Sequence, residues 1–193
     1  MKLKKLTRQL FDLMYADIEE FRMLFDLPVA VGIGNAEGSD DLHSSLIVEE
    51  LSELADSHSI EDMADALIDS CYVLSGRLVE QGCTYETADP GILYFMDILM
   101  RVAEVKRIDF YAGWQLVHES NCTKLCDSVE QAEQTIAVYG EKGIKAEYLP
   151  RGDAYMVVCS QDSHMHDGKF VKAGKRLKSI GYREVDLSSV CHV

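Results

Sequence analysis

Apolar residues recur at helical spacing over the first two thirds of the chain. Leu6, Leu10, Leu13, Met14, Ile18, Phe21 and Leu24 predict a first helix over 3–24. Pro28 and the glycine-bearing stretch 32–38 end it in a loop, and Ser39 or Asp41 caps a second helix that runs to about Asp56. Ser57, His58 and Ser59 make a turn, and Ser59 followed by Asp62 forms a capping box with Asp in place of Glu. A third helix then carries Leu67, Cys71, Leu74 and Leu78 along one side as far as Gln81, where Gly82 closes it. Gly76 lies inside that helix at a propensity cost that is tolerated where two helices cross closely. Further helices are predicted from Ile92 to about Lys106, from Tyr111 to Leu125, and from Asp127 to about Gly143, the last started by a capping box of Ser128 and Gln131. The period then changes. Residues 144–149 and 154–159 are strand-like and joined by a turn at 150–153, so the chain is predicted to be mainly α with a small α-β-β insertion near its C-terminus.

Charge sharpens this picture. The net charge of −14 and pI near 4.7 argue against nucleic acid or an anionic membrane surface as partners, since both call for clustered positive charge. The most apolar stretch, 92–105, is interrupted by Asp97 and Arg101 and is too short to span a bilayer. A basic start followed by Asp12, Asp17, Glu19 and Glu20 does not read as a signal peptide, and six cysteines without a Cys-x-x-Cys pair read as free thiols, so a cytoplasmic protein is expected. Charge is also segregated along the chain. From Met23 to Ser75 there is no Lys or Arg, whereas the tail from Lys169 holds Lys169, Lys172, Lys175, Arg176, Lys178 and Arg183.

The acid-only region carries the candidate chemistry. Glu49, Glu50 and Glu53 fall within one arc of the second helix, opposite Ile47, Leu51 and Leu54, and Asp62, Asp65 and Asp69 share a stripe on the third. Like charges at i, i+4 repel, and neither stripe is relieved by an interleaved cation. A single stripe of this kind reads as a solvated acidic face. Two stripes on helices joined by a short turn can face one another, which gives a carboxylate cage for a hard divalent cation an equal claim.

Four blocks of this sequence, in order, resemble the all-α nucleoside triphosphate pyrophosphohydrolases, the MazG, dCTP pyrophosphatase and phosphoribosyl-ATP pyrophosphohydrolase group. These are Glu49-Glu50-x-x-Glu53; Asp65-Ala-Leu-Ile-Asp69-Ser-Cys-Tyr72-Val; Asp17-Ile-Glu-Glu-Phe21-x-x-x-Phe25-x-Leu27-Pro28-Val29; and Val117-His118-Glu-Ser120-Asn121-x-Thr-Lys124-Leu125. The last two resemble the phosphoribosyl-ATP-pyrophosphohydrolase-like branch common in phages, for which the compartment is the host cytoplasm. The resemblance implies a MazG-like helical bundle over 1–126, an α-β-β insertion over 127–167, and a basic segment over 168–193 that returns to the core. It implies cleavage of a nucleoside triphosphate to monophosphate and pyrophosphate, with Mg²⁺, or alternatively Mn²⁺, held by Glu50, Glu53, Asp65 and Asp69. Glu49 is then a further ligand or the base for the attacking water, and Asn121, Lys124, Lys172 and Lys175 bind phosphate. A homodimer or homotetramer is implied as well. Phosphoribosyl-ATP is the alternative substrate, and a non-catalytic metal-bound bundle acting as an interaction module is the alternative class.

The sequence departs from the family pattern in its second motif. With Asp69 as the aspartate of Glu-x-x-Asp, the Glu position holds Ala66 and the nearest acid is Asp65, while Asp62 and Asp65 have the same spacing. Tyr72, one turn past Asp69, faces either a bound base or the core.

Overall fold

The computed structural model describes residues 2–32, 39–168 and 170–192, and for 39–41 the backbone alone. The loop expected over 32–38 and the capping side chains expected at Ser39 or Asp41 therefore fall outside the described residues, apart from Gly32, and so does Lys169. The chain forms two compact units, Met1–His118 with Val185–Val193, and Glu119–Glu184.

In the first unit the order is α1 (Arg8–Leu24), α2 (Ser39–Asp56), α3 (Ile60–Gln81), α4 (Pro90–Val105) and α5 (Phe110–Cys122), whose last turn passes into the second unit. α3 is the central element. Ala64, Leu67, Ile68, Cys71, Leu78 and Val79 are almost fully enclosed, and α1, α2 and α4 pack around it. Its ends are set locally: Ser59 Oγ accepts from Asp62 N at 2.9 Å, Asp62 Oδ2 accepts from Ser59 N at 3.1 Å, and Gly82 closes the helix at φ +70°. Asp89 caps α4, accepting from Gly91 N and Ile92 N, with Pro90 in the first turn where its missing N–H is no loss.

Two helix ends differ from the periodicity. α1 begins at Arg8 rather than Leu3, because the N–H groups of Lys4, Lys5 and Leu6 all donate to Asp97 Oδ1 on α4, at 2.7, 2.6 and 3.0 Å. An arm spent on a partner about ninety residues away is unavailable for helical bonding, and Thr7 becomes the N-cap, its Oγ1 accepting from Leu10 N. α5 ends at Cys122 rather than Leu125, where the backbone tightens: Thr123 N, Lys124 N and Leu125 N reach back three residues, to Ser120, Asn121 and Cys122 O. At the end of the chain, a 3₁₀ turn (Ser188–Val190) places Leu187, Val190 and Cys191 in the helical core, and Asp109 N donates to Val190 O.

The second unit packs α6 (Val129–Glu141) on a three-stranded antiparallel sheet of order β1 (Ala146–Arg151), β2 (Ala154–Cys159) and β5 (Arg176–Leu177). Its own small core holds Cys126, Ala132, Ile144, Val157, Cys159, Val171 and Leu177. The connection between β1 and β2 is shorter than the turn predicted at 150–153. Pro150 and Arg151 pair with Tyr155 and Ala154, leaving only Gly152 and Asp153, with Gly152 at φ +57°. The tail is not a plain extension, since β3 (Ser163–His164) pairs with β4 (Phe170–Val171) and Arg176–Leu177 completes the sheet. Among the described residues no helix is long and apolar enough to cross a membrane.

Candidate active site

α2 and α3 pack along one another after a three-residue turn, so they are antiparallel and their acidic stripes share a seam. Glu50 is half-buried on that seam. Its carboxyl is pushed up to about 7, first by burial and then by the charges of Asp69, Glu53, Glu49 and Asp65. Four carboxylates from two helices thus act on Glu50, although among the described residues no three His, Cys, Asp or Glu side chains form a group that could hold a metal ion. Asp62 serves elsewhere. Its carboxyl is held below the usual range by the Ser59 hydroxyl and by the N–H groups of His58 and Ser59, the work of a helix cap. Asp65 is the acid that joins Asp69 beside Glu50.

The donor set suits a hard cation. Every group in the cluster is a carboxylate oxygen, the chemistry that Mg²⁺ and Mn²⁺ take, and a bound dication would relieve the repulsion that lifts Glu50.

Beyond Asp69 the α3 stripe continues into an aromatic wall. Tyr72 is buried, its ring 5.1 Å from that of Trp114 and 5.5 Å from that of Phe21. Its hydroxyl lies 3.1 Å from His118 Nδ1, and Glu20 Oε2 lies 3.6 Å from His118 Nε2. The imidazole tautomer sets which of the two, the Tyr72 hydroxyl or His118 Nδ1, donates. Trp114 Nε1 donates to Asp17 Oδ2 at 2.7 Å. Asp17 and Phe21 of one sequence block therefore meet Trp114 and His118, which accompany another, across α3. Spacing alone could not reveal that pairing.

Asn121, Lys124, Lys172 and Lys175 belong to the second unit. There Lys124 Nζ donates to Asn121 Oδ1 at 2.6 Å, and Lys124 and Lys178 lie 5.9 and 4.2 Å from the centre of the Tyr182 ring. Lys172 and Lys175 are exposed on the turn between β4 and β5. The sequence reading missed a buried trio in the first unit, Arg22, His43 and Glu80, because a lone charge in an amphipathic helix does not name its partner.

The sequence pattern of the phosphoribosyl-ATP pyrophosphohydrolase family matches residues 33–89, the span that contains both acidic helices. This segment fits the MazG-like pyrophosphohydrolase superfamily. No curated protein and no solved structure matches the chain. The family match supports a nucleotide pyrophosphohydrolase in general, with hydrolysis of a phosphoric anhydride as the kind of reaction. The aromatic wall extends the pyrophosphohydrolase-like hairpin with α1 and α5, which lie outside the matched residues.

Proposed function

We propose that the protein is a Mg²⁺-dependent nucleoside triphosphate pyrophosphohydrolase that converts a (d)NTP to the (d)NMP and pyrophosphate in a nucleotide-pool role. The observation that carries this reading is the gathering of Glu50 with four further carboxylates on the two helices of the family-matched hairpin, where burial first and their charges second raise its carboxyl. Glu50, Glu53, Asp65 and Asp69 are the residues proposed to hold the metal. When bound, a divalent cation supplies positive charge for phosphate oxygens and lowers the pKa of a coordinated water.

The chain's own groups perform the remaining tasks. Glu49 is exposed on the same turn as Glu50 and is proposed to accept the proton of the attacking water on a carboxylate oxygen. The water oxygen forms the new bond to the α phosphorus, the bond to the bridging oxygen breaks, and pyrophosphate leaves with the electron pair. Glu50 and Asp69 shape the charge at the seam, and α3 keeps Asp65 and Asp69 on rigid backbone instead of a loop.

The test is product analysis on a panel of dNTPs and NTPs with Mg²⁺ and with chelator. Metal-dependent monophosphate and pyrophosphate are expected, and products without a metal requirement would overturn the reading. The name of the matching family favours phosphoribosyl-ATP as the second substrate to test. Survival of that substrate as well, with Mg²⁺ binding intact by calorimetry, would make the hairpin a structural metal module. We also propose that the chain assembles at least as a dimer, because helical hairpins of this kind bury their remaining apolar sides against another copy. Light scattering at micromolar concentration should give a multiple of the 21.7 kDa chain mass.

A further inference from the structure

The first unit buries Arg22, His43 and Glu80 together at the end of the α2–α3 seam remote from the connecting turn. Arg22, His43 and Glu80 are 7%, 7% and 6% exposed. Arg22 Nη2 lies 3.0 Å from Glu80 Oε2, Arg22 Nε donates to Pro28 O at 2.7 Å, and His43 Nε2 lies 3.6 Å from the same Glu80 oxygen. The three side chains come from the last turn of α1, the start of α2 and the last turn of α3. Gly76 leaves them room. A Cβ there would stand 3.6 Å from Arg22 Nη1 and 3.9 Å from His43 Nε2, so anything larger than a methyl would displace both.

Buried ions of this kind are a weak source of stability, since an apolar set of the same volume does as well or better, and their best-attested use is to fix register. The register at stake here is that of α2 on α3. His43 and Glu50 stand at i and i+7 on α2, and on α3 the stripe of Asp69 returns to Glu80 after three turns, within about 20°. The trio therefore lies on the same seam as the carboxylates. Across the seam the like charges of Asp65 and Asp69 oppose the approach of Glu50, so the two helices need an attachment elsewhere to keep their register. The Ser59 capping box holds the seam at the turn, and the trio holds its far end.

We propose that Arg22, Glu80 and His43 form a positioning clamp that keeps α2 in register on α3 and so holds the catalytic carboxylates together against their own repulsion. Its link to metal uptake rests on the function proposed above. The test combines Mn²⁺ calorimetry with amide hydrogen exchange along α2. His43→Leu, folded by circular dichroism, is expected to bind Mn²⁺ about tenfold more weakly, as loss of a supporting residue does at metal sites, and to exchange faster across 45–53. His43→Gln, whose amide still reaches Glu80, is expected to recover most of both. Should His43→Leu fail to fold, the double variant Arg22→Met with Glu80→Met removes the buried charges as a pair and leaves His43 without its anchor, and the same loosening is expected. A folded variant with wild-type exchange in α2 overturns the clamp, and so does a fall in melting temperature with Mn²⁺ affinity and α2 exchange retained. If the wild-type protein takes up no Mn²⁺, the metal-site reading fails on its own and the exchange result alone decides the clamp.

Discussion

Glu50 is held where its ordinary charge is unwelcome, and its removal separates stability from function. Glu50→Gln takes one negative charge out of the cluster while keeping the shape of the side chain. In chelator the variant is expected to gain about 0.5–1 kcal/mol by urea unfolding, a figure already reduced for solvent screening of a half-exposed group. Under the proposed function, turnover is expected to fall about a hundredfold or more, since Glu50 is one of the residues proposed to hold the metal. A variant less stable than wild type in chelator would show that the carboxylates do not repel in the folded state. Asp97 carries the opposite sign. Burial alone would raise its carboxyl, but the N–H groups of Lys5, Leu6 and Lys4 and the charge of Arg101 outweigh that and hold it below the usual carboxylate range. A depressed folded pKa contributes stability above the unfolded value of about 3.9 and loses it as pH falls through the folded one. Asp97→Asn is therefore expected to cost about 1–3 kcal/mol at pH 7 and much less near pH 2, read from urea midpoints at the two pH values. That Glu49, Glu50, Glu53, Asp65 and Asp69 gather on one hairpin could be read from the sequence because their spacing is local. Asp97 and Glu80 could not, because each is defined by a partner more than fifty residues away.

At the scale of elements, Gly76 and Gly113, each within a helix and facing another, predict opposite outcomes. At Gly76 an added methyl meets ordinary contact distances, so Gly76→Ala is expected to be neutral or to gain up to about 1 kcal/mol from helix propensity. At Gly113 on α5 a Cβ would stand 2.6 Å from Ile68 Cδ1, and Ile68 is fully enclosed on α3. Gly113→Ala is expected to cost about 1–3 kcal/mol by thermal or urea unfolding, the range for overpacking a core. Equal effects at the two positions would mean that α5 does not pack on α3 as described. The same scale explains which elements were legible. α2 and α3 announce themselves by amphipathic stripes, a capping box and a closing glycine, all of them local signals. The start of α1 was misplaced because Leu3 and Leu6 keep the helical period although the backbone between them bonds to Asp97. β3, β4 and β5 have two residues each, too few to show any period.

Over the whole molecule, charge divides with the two units. Glu119–Glu184 holds as many Lys and Arg as Asp and Glu, so the net charge of −14 belongs entirely to the helical unit that carries the acidic seam. The sequence showed acid early and base late, but not that the late base is balanced within its own unit, because the boundary lies inside α5 and no composition shift marks it. Self-repulsion of this size is a field over one unit, not a property of a single pair, and salt screens it over a Debye length of about 10 Å at 0.1 M. Raising NaCl from 20 to about 200 mM in chelator is therefore expected to slow amide exchange in α2 and α3 and to leave β1 and β2 almost unchanged. Millimolar Mg²⁺ is expected to do more to α2 than NaCl of equal ionic strength, because a bound ion acts at the carboxylates themselves while salt acts only through the solvent. Equal protection by the two salts would reduce the acidic seam to a solvated face, and the hairpin would then have to be held by the capping box, the Arg22–Glu80–His43 trio and apolar packing alone.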